Sequence, residues 1–330
     1  MTATAPAGRR PTTVLGPLDP RGQTDAVGTN QTAGARRIAA AFARAHAERR
    51  TALIPYVVAG YPNLDESFEV ALAAIDAGAD LLEVGLPYSD PLADGATLQR
   101  ASGVALGGGA DFDASVELVR RIAGARPKLP IVAMGYANQV IGGGDGSIVA
   151  ARLAGAGASG VIVADLTPDE GGPFESVART VDLAVVYLVA PTTPPPRRAV
   201  IAARTGGFLY CVSLVGVTGA RASLPSSVGR LVRDVRAVSP VPVAVGFGVS
   251  RPSHLRALAR VGADGVIVAS ALVDALGPDG HDVGALSRLV RALRDASAAQ
   301  SPDCAGSDQS PASAGRSSRS SARVAATRRR

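Results

Sequence analysis

The sequence has no tryptophan, two cysteines, three histidines, two methionines and a single lysine among its 330 residues. Aromatics make up 4% against 47% hydrophobic residues, so any core is built largely from Ala, Val and Leu. Cys211 and Cys304 give neither a disulfide framework nor the paired spacing of a metal site. No apolar run approaches the roughly 20 residues that a membrane-crossing helix needs, and no segment has the order of a secretory signal. A cytoplasmic protein without a membrane role is expected.

Charge is scarce where it could matter for nucleic acid. Of the net +6, residues 301–330 supply +4, through six arginines against two aspartates. The rest of the chain is close to neutral and shows no basic face interleaved with aromatics, which argues against a nucleic-acid partner. The stretch 299–330 is Ser, Ala and Arg with almost no large apolar residue, a composition that cannot offset the entropy of ordering. It reads as a disordered tail, and residues 1–33, rich in Gly, Pro, Thr and Ala without periodicity, read as a flexible leader.

Between them, residues 34–298 carry a regular alternation. An amphipathic helix, about Gly34 to Arg49, comes first and is expected to act as a cap. Eight short apolar runs come next: Leu53–Val58, Leu81–Val84, Pro130–Met134, Val161–Ala164, Leu183–Leu188, Phe208–Ser213, Val241–Val245 and Val266–Val268. Helical patterns separate and follow them, near Asp65–Ala77, Phe112–Ala123, Ser147–Ala156, Glu170–Val181, Pro195–Ala203, Ser226–Ala237, Pro252–Val261 and Ala285–Ser297. The runs are continuously apolar rather than alternating, as in parallel strands buried on both faces. Gly78-Ala79-Asp80, Gly157-Ala158-Ser159 and Gly262-Ala263-Asp264 each place a helix-ending glycine before a strand. Eight βα units over about 250 residues predict an α/β fold of one class, a single (β/α)8 TIM barrel with an N-terminal capping helix. Its active site is then expected at the C-terminal ends of the strands.

One strand breaks the apolar rule. In Leu82-Glu83-Val84-Gly85-Leu86-Pro87-Tyr88-Ser89-Asp90-Pro91-Leu92-Ala93-Asp94-Gly95, Glu83 interrupts a buried run, and Asp94 comes eleven residues later. A buried ionised carboxylate costs several kcal/mol unless it is paired, neutralised or used. A lone core glutamate is ordinarily a satisfied one. Here the strand ends in a loop crowded with acidic and hydroxyl groups, which favours an acid/base site. Three loops after the late strands could cradle an anion: Ser213–Arg221, Gly246-Phe247-Gly248-Val249-Ser250, and Ala269-Ser270-Ala271 opening a short helix Ser270–Ala275. A phosphate site at the loops of strands 7 and 8 recurs in barrel enzymes.

Phosphate beside two carboxylates points to proton transfer or carbon–carbon cleavage on a small phosphorylated substrate. A Schiff-base aldolase needs a lysine at a strand's C-terminal end, whereas Lys128 precedes the third strand. Metal catalysis wants clustered ligands, whereas His46, His254 and His281 fall on helices or outer loops. A dinucleotide fingerprint is absent. Carboxylate acid/base catalysis, without a cofactor or metal, remains.

The segments Glu83–Gly95, Leu188-Val189-Ala190-Pro191-Thr192-Thr193-Pro194, Gly216-Val217-Thr218-Gly219-Ala220-Arg221 and Gly246-Phe247-Gly248 resemble the tryptophan synthase α subunit, from about Ala52 to Ala275. The resemblance implies retro-aldol cleavage of indole-3-glycerol phosphate to indole and glyceraldehyde 3-phosphate. It also implies a partner, the pyridoxal-phosphate β subunit, in an α2β2 heterotetramer. By the same likeness Glu83 protonates the indole ring and handles the glycerol hydroxyl proton, while Asp94 accepts the indole N–H. Thr218 matches a threonine that bonds this aspartate. Tyr210 matches a tyrosine near the glutamate, with barrel packing as an equal alternative. Gly219, Gly248 and Ser270 match phosphate-binding backbone positions. Phe247, Tyr56, Tyr136, Met134 and Ile162 are expected to wall the indole pocket, or to be core. Ala269 stands where the family usually has glycine, and Ala96 where it usually has proline. Two further readings stay open: another phosphosugar-binding barrel enzyme, or a catalytically weak barrel that activates a partner subunit.

Overall fold

A computed structural model of the chain describes residues 31–212, 226–246 and 248–298. The predicted leader and tail lie almost wholly outside these residues, and so do Thr218, Gly219 and Phe247.

Nine strands form one sheet: β1 (Ala52–Val58), β2 (Leu82–Gly85), β3 (Ile131–Gly135), β4 (Gly160–Val163), β5 (Ala184–Val186), β6 (Leu188–Val189), β7 (Leu209–Val212), β8 (Val243–Gly246) and β9 (Gly265–Val268). All neighbours are parallel, in the order β5-β4-β3-β2-β1-β9-β8-β7-β6. The two ends of that order, β5 and β6, are halves of one run separated only by Tyr187. The sheet therefore closes on itself as a barrel, with the expected fifth strand split in two. The split has a local cause. The Tyr187 N–H donates to the Thr205 hydroxyl at 2.9 Å instead of to a neighbouring strand. Its own hydroxyl donates to Glu175 at 2.5 Å on the outer side of the barrel.

Twelve helices accompany the strands: α1 (Ala33–Ala47), α2 (Leu64–Asp76), α3 (Ala96–Gly107), α4 (Phe112–Ala125), α5 (Ala137–Val140), α6 (Ser147–Gly155), α7 (Pro168–Thr180), α8 (Pro195–Arg204), α9 (Ser226–Arg236), α10 (Pro252–Arg260), α11 (Ser270–Ala275) and α12 (Val283–Ala296). The count is of the described residues. Their starts follow capping chemistry: Thr32, Asn63, Asp111 and Asp282 each accept a first-turn N–H. Two helices, α3 and α5, fall where the sequence pattern marks no helix. Helix α3 carries Gly103 and Gly107 and only a weak apolar stripe, so its periodicity is faint.

The capping helix is real and closes the end where the strands begin. Helix α1 buries Ile38, Ala41, Phe42 and Ala45, and the Phe42 ring lies 5.7 Å from that of Phe208, just before β7. The Gly34 N–H donates to Asp182 O at 3.0 Å, and the Ala33 N–H to the Asp182 carboxylate at 2.8 Å. At the same end a buried ion pair ties the entry of β1 to the entry of β2 and to α12. Arg50 makes two bonds to Asp80 at 2.5 and 2.7 Å, and Asp80 also accepts the Leu53 N–H at 2.9 Å. Arg294, on α12, reaches the same carboxylate at 3.4 Å. With this end plugged, the opposite mouth is the open one.

Candidate active site

Glu83 is 1% exposed on β2, in register with Tyr56 of β1 and Val132 of β3. Among the described residues, neither of its carboxylate oxygens has a hydrogen-bond partner. Removal from water raises its pKa to about 8, helped by the negative charge of Asp94 nearby. Such a group holds its proton at neutral pH and can give it up during reaction.

Asp94 arrives from the loop after β2. Partial burial raises its pKa to about 6, against a hydrogen bond from Tyr136 that favours the anion. The Tyr136 hydroxyl also accepts the Ala93 N–H at 3.1 Å, so one phenol fixes both the loop backbone and the carboxylate. Around it the loop is pinned to the segment after β3. Tyr88 stacks on Tyr136 with ring centroids 5.2 Å apart. The Asn138 amide donates to the Tyr88 hydroxyl at 3.1 Å, and Gln139 donates to Pro87 O at 2.8 Å. The sequence could not reveal these contacts, because they join positions about fifty residues apart.

The two carboxyl groups line one cavity with Tyr56, Tyr210, Leu98 and Met134. Gly248, Val249, Ala269 and Ser270 complete its wall together with Ile267. Both tyrosines lie across the barrel over glycines. A methyl on Gly85 would sit 1.8 Å from the Tyr56 hydroxyl oxygen, and one on Gly246 would sit 2.2 Å from that of Tyr210. Burial pushes both phenols well above their ordinary range, and the charges of Glu83 and Asp94 push the same way. Gly248 has φ +81°, a conformation glycine takes without strain, and it brings the chain to the cavity edge. Leu98 and Ile267 line the cavity too, although the sequence pattern had not marked them; Leu98 stands on the helix that pattern had missed. Ile162 is fully buried on β4 beside Met134 and is not among the lining residues, and Tyr136 acts through Asp94 from outside the lining. Lys128 precedes β3, at the closed end of the barrel; His46 and His254 lie on α1 and α10, and His281 meets Glu66 at 2.6 Å outside the barrel.

A larger hollow, of about 740 Å³, lies at the closed end between α1 and the turns entering β8 and β9. Its lining holds one carboxylate, Asp264, paired with Arg236 at 3.1 Å. Size therefore does not mark the chemistry here; the paired carboxyl groups do.

A closed parallel barrel whose mouth holds two carboxyl groups of raised pKa beside a glycine-edged wall defines a barrel protein with a candidate acid/base site. Comparison with known proteins gives the family. The family profile described as tryptophan synthase alpha chain matches residues 42–298. The tryptophan synthase alpha chain of Gloeobacter violaceus is 46% identical over 265 residues, covering 79% of this chain and 95% of that one. That of Roseiflexus castenholzii is 44% identical over 260 residues, covering 78% and 99%. A solved structure of Mycobacterium tuberculosis tryptophan synthase superposes with a TM-score of 0.74 at 38% identity, covering 80% of this chain and 99% of that one. The chain belongs to the tryptophan synthase alpha chain family. It is a carbon–carbon lyase of tryptophan biosynthesis that cleaves indole-3-glycerol phosphate to indole and glyceraldehyde 3-phosphate.

Proposed function

We propose that Glu83 and Asp94 divide the proton chemistry of this cleavage between them. The observation that carries the reading is the separation of their pKa values, at about 8 and about 6, within one cavity. Two coupled carboxyls so separated hold one shared proton on Glu83 over that interval while Asp94 is an anion. The Glu83 carboxyl donates its proton to indole C3, which makes the ring an electron sink. Asp94 accepts the indole N–H and stabilises the positive charge that develops there. The bond from C3 to the glycerol carbon then breaks, its electrons returning to the ring. The glycerol hydroxyl proton passes to the Glu83 carboxylate as the aldehyde forms, which restores the starting acid.

The remaining site residues complete the pocket. Gly248, Ala269 and Ser270 hold the phosphate; the family likeness gives Gly219 and Thr218 supporting roles, and both lie outside the described residues. Tyr210 shapes the space for the ring, with Ile162 packed behind Met134 and Tyr136 holding Asp94; Phe247, expected beside them, lies outside the described residues. The working unit is the barrel of residues 34–298, with 1–33 and 299–330 as accessory segments, in the cytoplasm. The partner is a tryptophan synthase β subunit, in an α2β2 assembly, at the open mouth. Supporting that face, Leu92 is 88% exposed in the loop carrying Asp94, and Ile148 is 75% exposed at the start of α6.

The test supplies indole-3-glycerol phosphate to the purified chain, with and without a β subunit, and measures indole. Glu83→Gln keeps the volume but loses the proton, and should reduce turnover roughly 100- to 10,000-fold, the contribution of a general acid/base. Wild-type turnover by a folded Glu83→Gln chain would reject the assignment.

A further inference from the structure

His254 is 3% exposed on α10, outside the cavity lining, and the mechanism above does not use it. It occupies the third position of that helix, after the cap residue Arg251 and Pro252. Arg251 makes no side-chain cap bond. The histidine ring instead reaches back, and its Nδ1 accepts the Ser250 N–H at 3.4 Å. A ring nitrogen that accepts this bond leaves the proton on Nε2. Among the described residues, that Nε2 is buried without a partner, and so is the Ser250 hydroxyl.

A ring serving only to fill the core would be better replaced by an apolar side chain, since an unmatched buried donor destabilises the fold. The segment it holds is the one that edges the active cavity. Gly248 and Val249 line that cavity, next to Ala269 and Ser270. Among the described residues, no backbone–backbone bond outside helices and strands is made by Gly248, Val249 or Ser250. Among the described residues, the hydrogen bond that ties this turn to α10 is the one to the ring, while Val249 packs into the core.

We infer that His254 is a positioning residue for the phosphate end of the substrate: by holding the Ser250 N–H it fixes the Gly248–Ser250 turn against which the phosphate is bound. This rests on the reading of Gly248 and Ser270 as phosphate contacts. Misplacing a binding group by about 1 Å can cost a hundredfold.

The test compares His254→Leu, which keeps bulk but removes the acceptor, with His254→Asn, whose side-chain oxygen can still accept the Ser250 N–H. Thermal melts of both full chains establish folding. The KM values for indole-3-glycerol phosphate, and for glyceraldehyde 3-phosphate and indole in the reverse direction, are then measured. Inhibition by inorganic phosphate is measured beside them. In His254→Leu the KM for both phosphorylated substrates and the inhibition constant for phosphate should rise about tenfold to a hundredfold. The indole KM and kcat should hold, and His254→Asn should recover most of the loss. Equal change in every KM, or an Asn chain that folds but behaves as the Leu chain does, overturns the inference. If phosphate competes equally well with substrate in the wild type and in His254→Leu, His254 has no such role although the phosphate reading stands. Failure of phosphate to compete even in the wild type refutes that reading and this one with it.

Discussion

Replacing Glu83 by Gln should change how the stability of the fold depends on pH, and the size of the effect comes from its burial. In the unfolded chain this carboxyl has its ordinary value of 4.5; in the fold it stands at about 8. Below pH 4.5 both states carry the neutral acid, and nothing is lost. As pH rises the unfolded chain ionises freely while the folded chain keeps its proton, so stability falls. The fall ends near pH 8, where the folded group ionises as well. Integrated over that interval, linkage gives a loss of roughly 5 kcal/mol. Glutamine does not titrate and escapes it. Urea unfolding of both chains at intervals from pH 5 to pH 9 should therefore show the stability difference moving in favour of Glu83→Gln by several kcal/mol. The amide carries its own fixed cost as an unmatched buried group, which displaces the curve without changing its slope. Asp94 stands in both chains, and its ionisation between 3.8 and about 6 largely cancels in the comparison. Parallel curves, or a wild type that gains on the variant as pH rises, would refute the claim that Glu83 is held as a neutral acid.

The same two values predict a bell-shaped profile of kcat/KM for indole release, with limbs near about 6 and about 8. Tyr136→Phe removes the hydroxyl that favours the Asp94 anion, so the acidic limb should move up by about one pH unit or more while the alkaline limb stays; an unmoved acidic limb would show that this hydrogen bond does not set it. At the closed end, Asp80→Ala strips a buried partner from Arg50 and should cost about 3–5 kcal/mol, read as a fall of roughly 10 °C in the thermal midpoint. A midpoint within one or two degrees of the wild type would show the pair to be dispensable.

How far the sequence carried can be judged from particular elements. The strands were legible because burial on both faces leaves uninterrupted Val, Leu and Ile. Thus Val241–Val245 and Val266–Val268 lie within two residues of β8 and β9 as observed. Glu83 was legible for the same reason, as a charge in such a run. The break at Tyr187 was not, since it depends on Thr205 capturing an N–H from eighteen residues away. Helix α3 escaped because its glycines blur the 3.6-residue period. His254 was read only as an unsuitable metal ligand. Its bond to Ser250 is local in sequence but leaves no pattern that composition or spacing could expose. Tyr136 was placed as a pocket wall, and its bonding to the Asp94 loop emerged only from the way β2 and β3 lie side by side.

Tyr56 and Tyr210, laid over Gly85 and Gly246, give the reaction chamber a floor, and α1 seals the barrel beneath it. Among the described residues the well opens past the Asp94 loop and the Gly248–Ser250 turn. On the phosphate and partner readings above, the lip that admits the ester also governs the exit of indole, and a neighbour that receives indole directly sits on that rim.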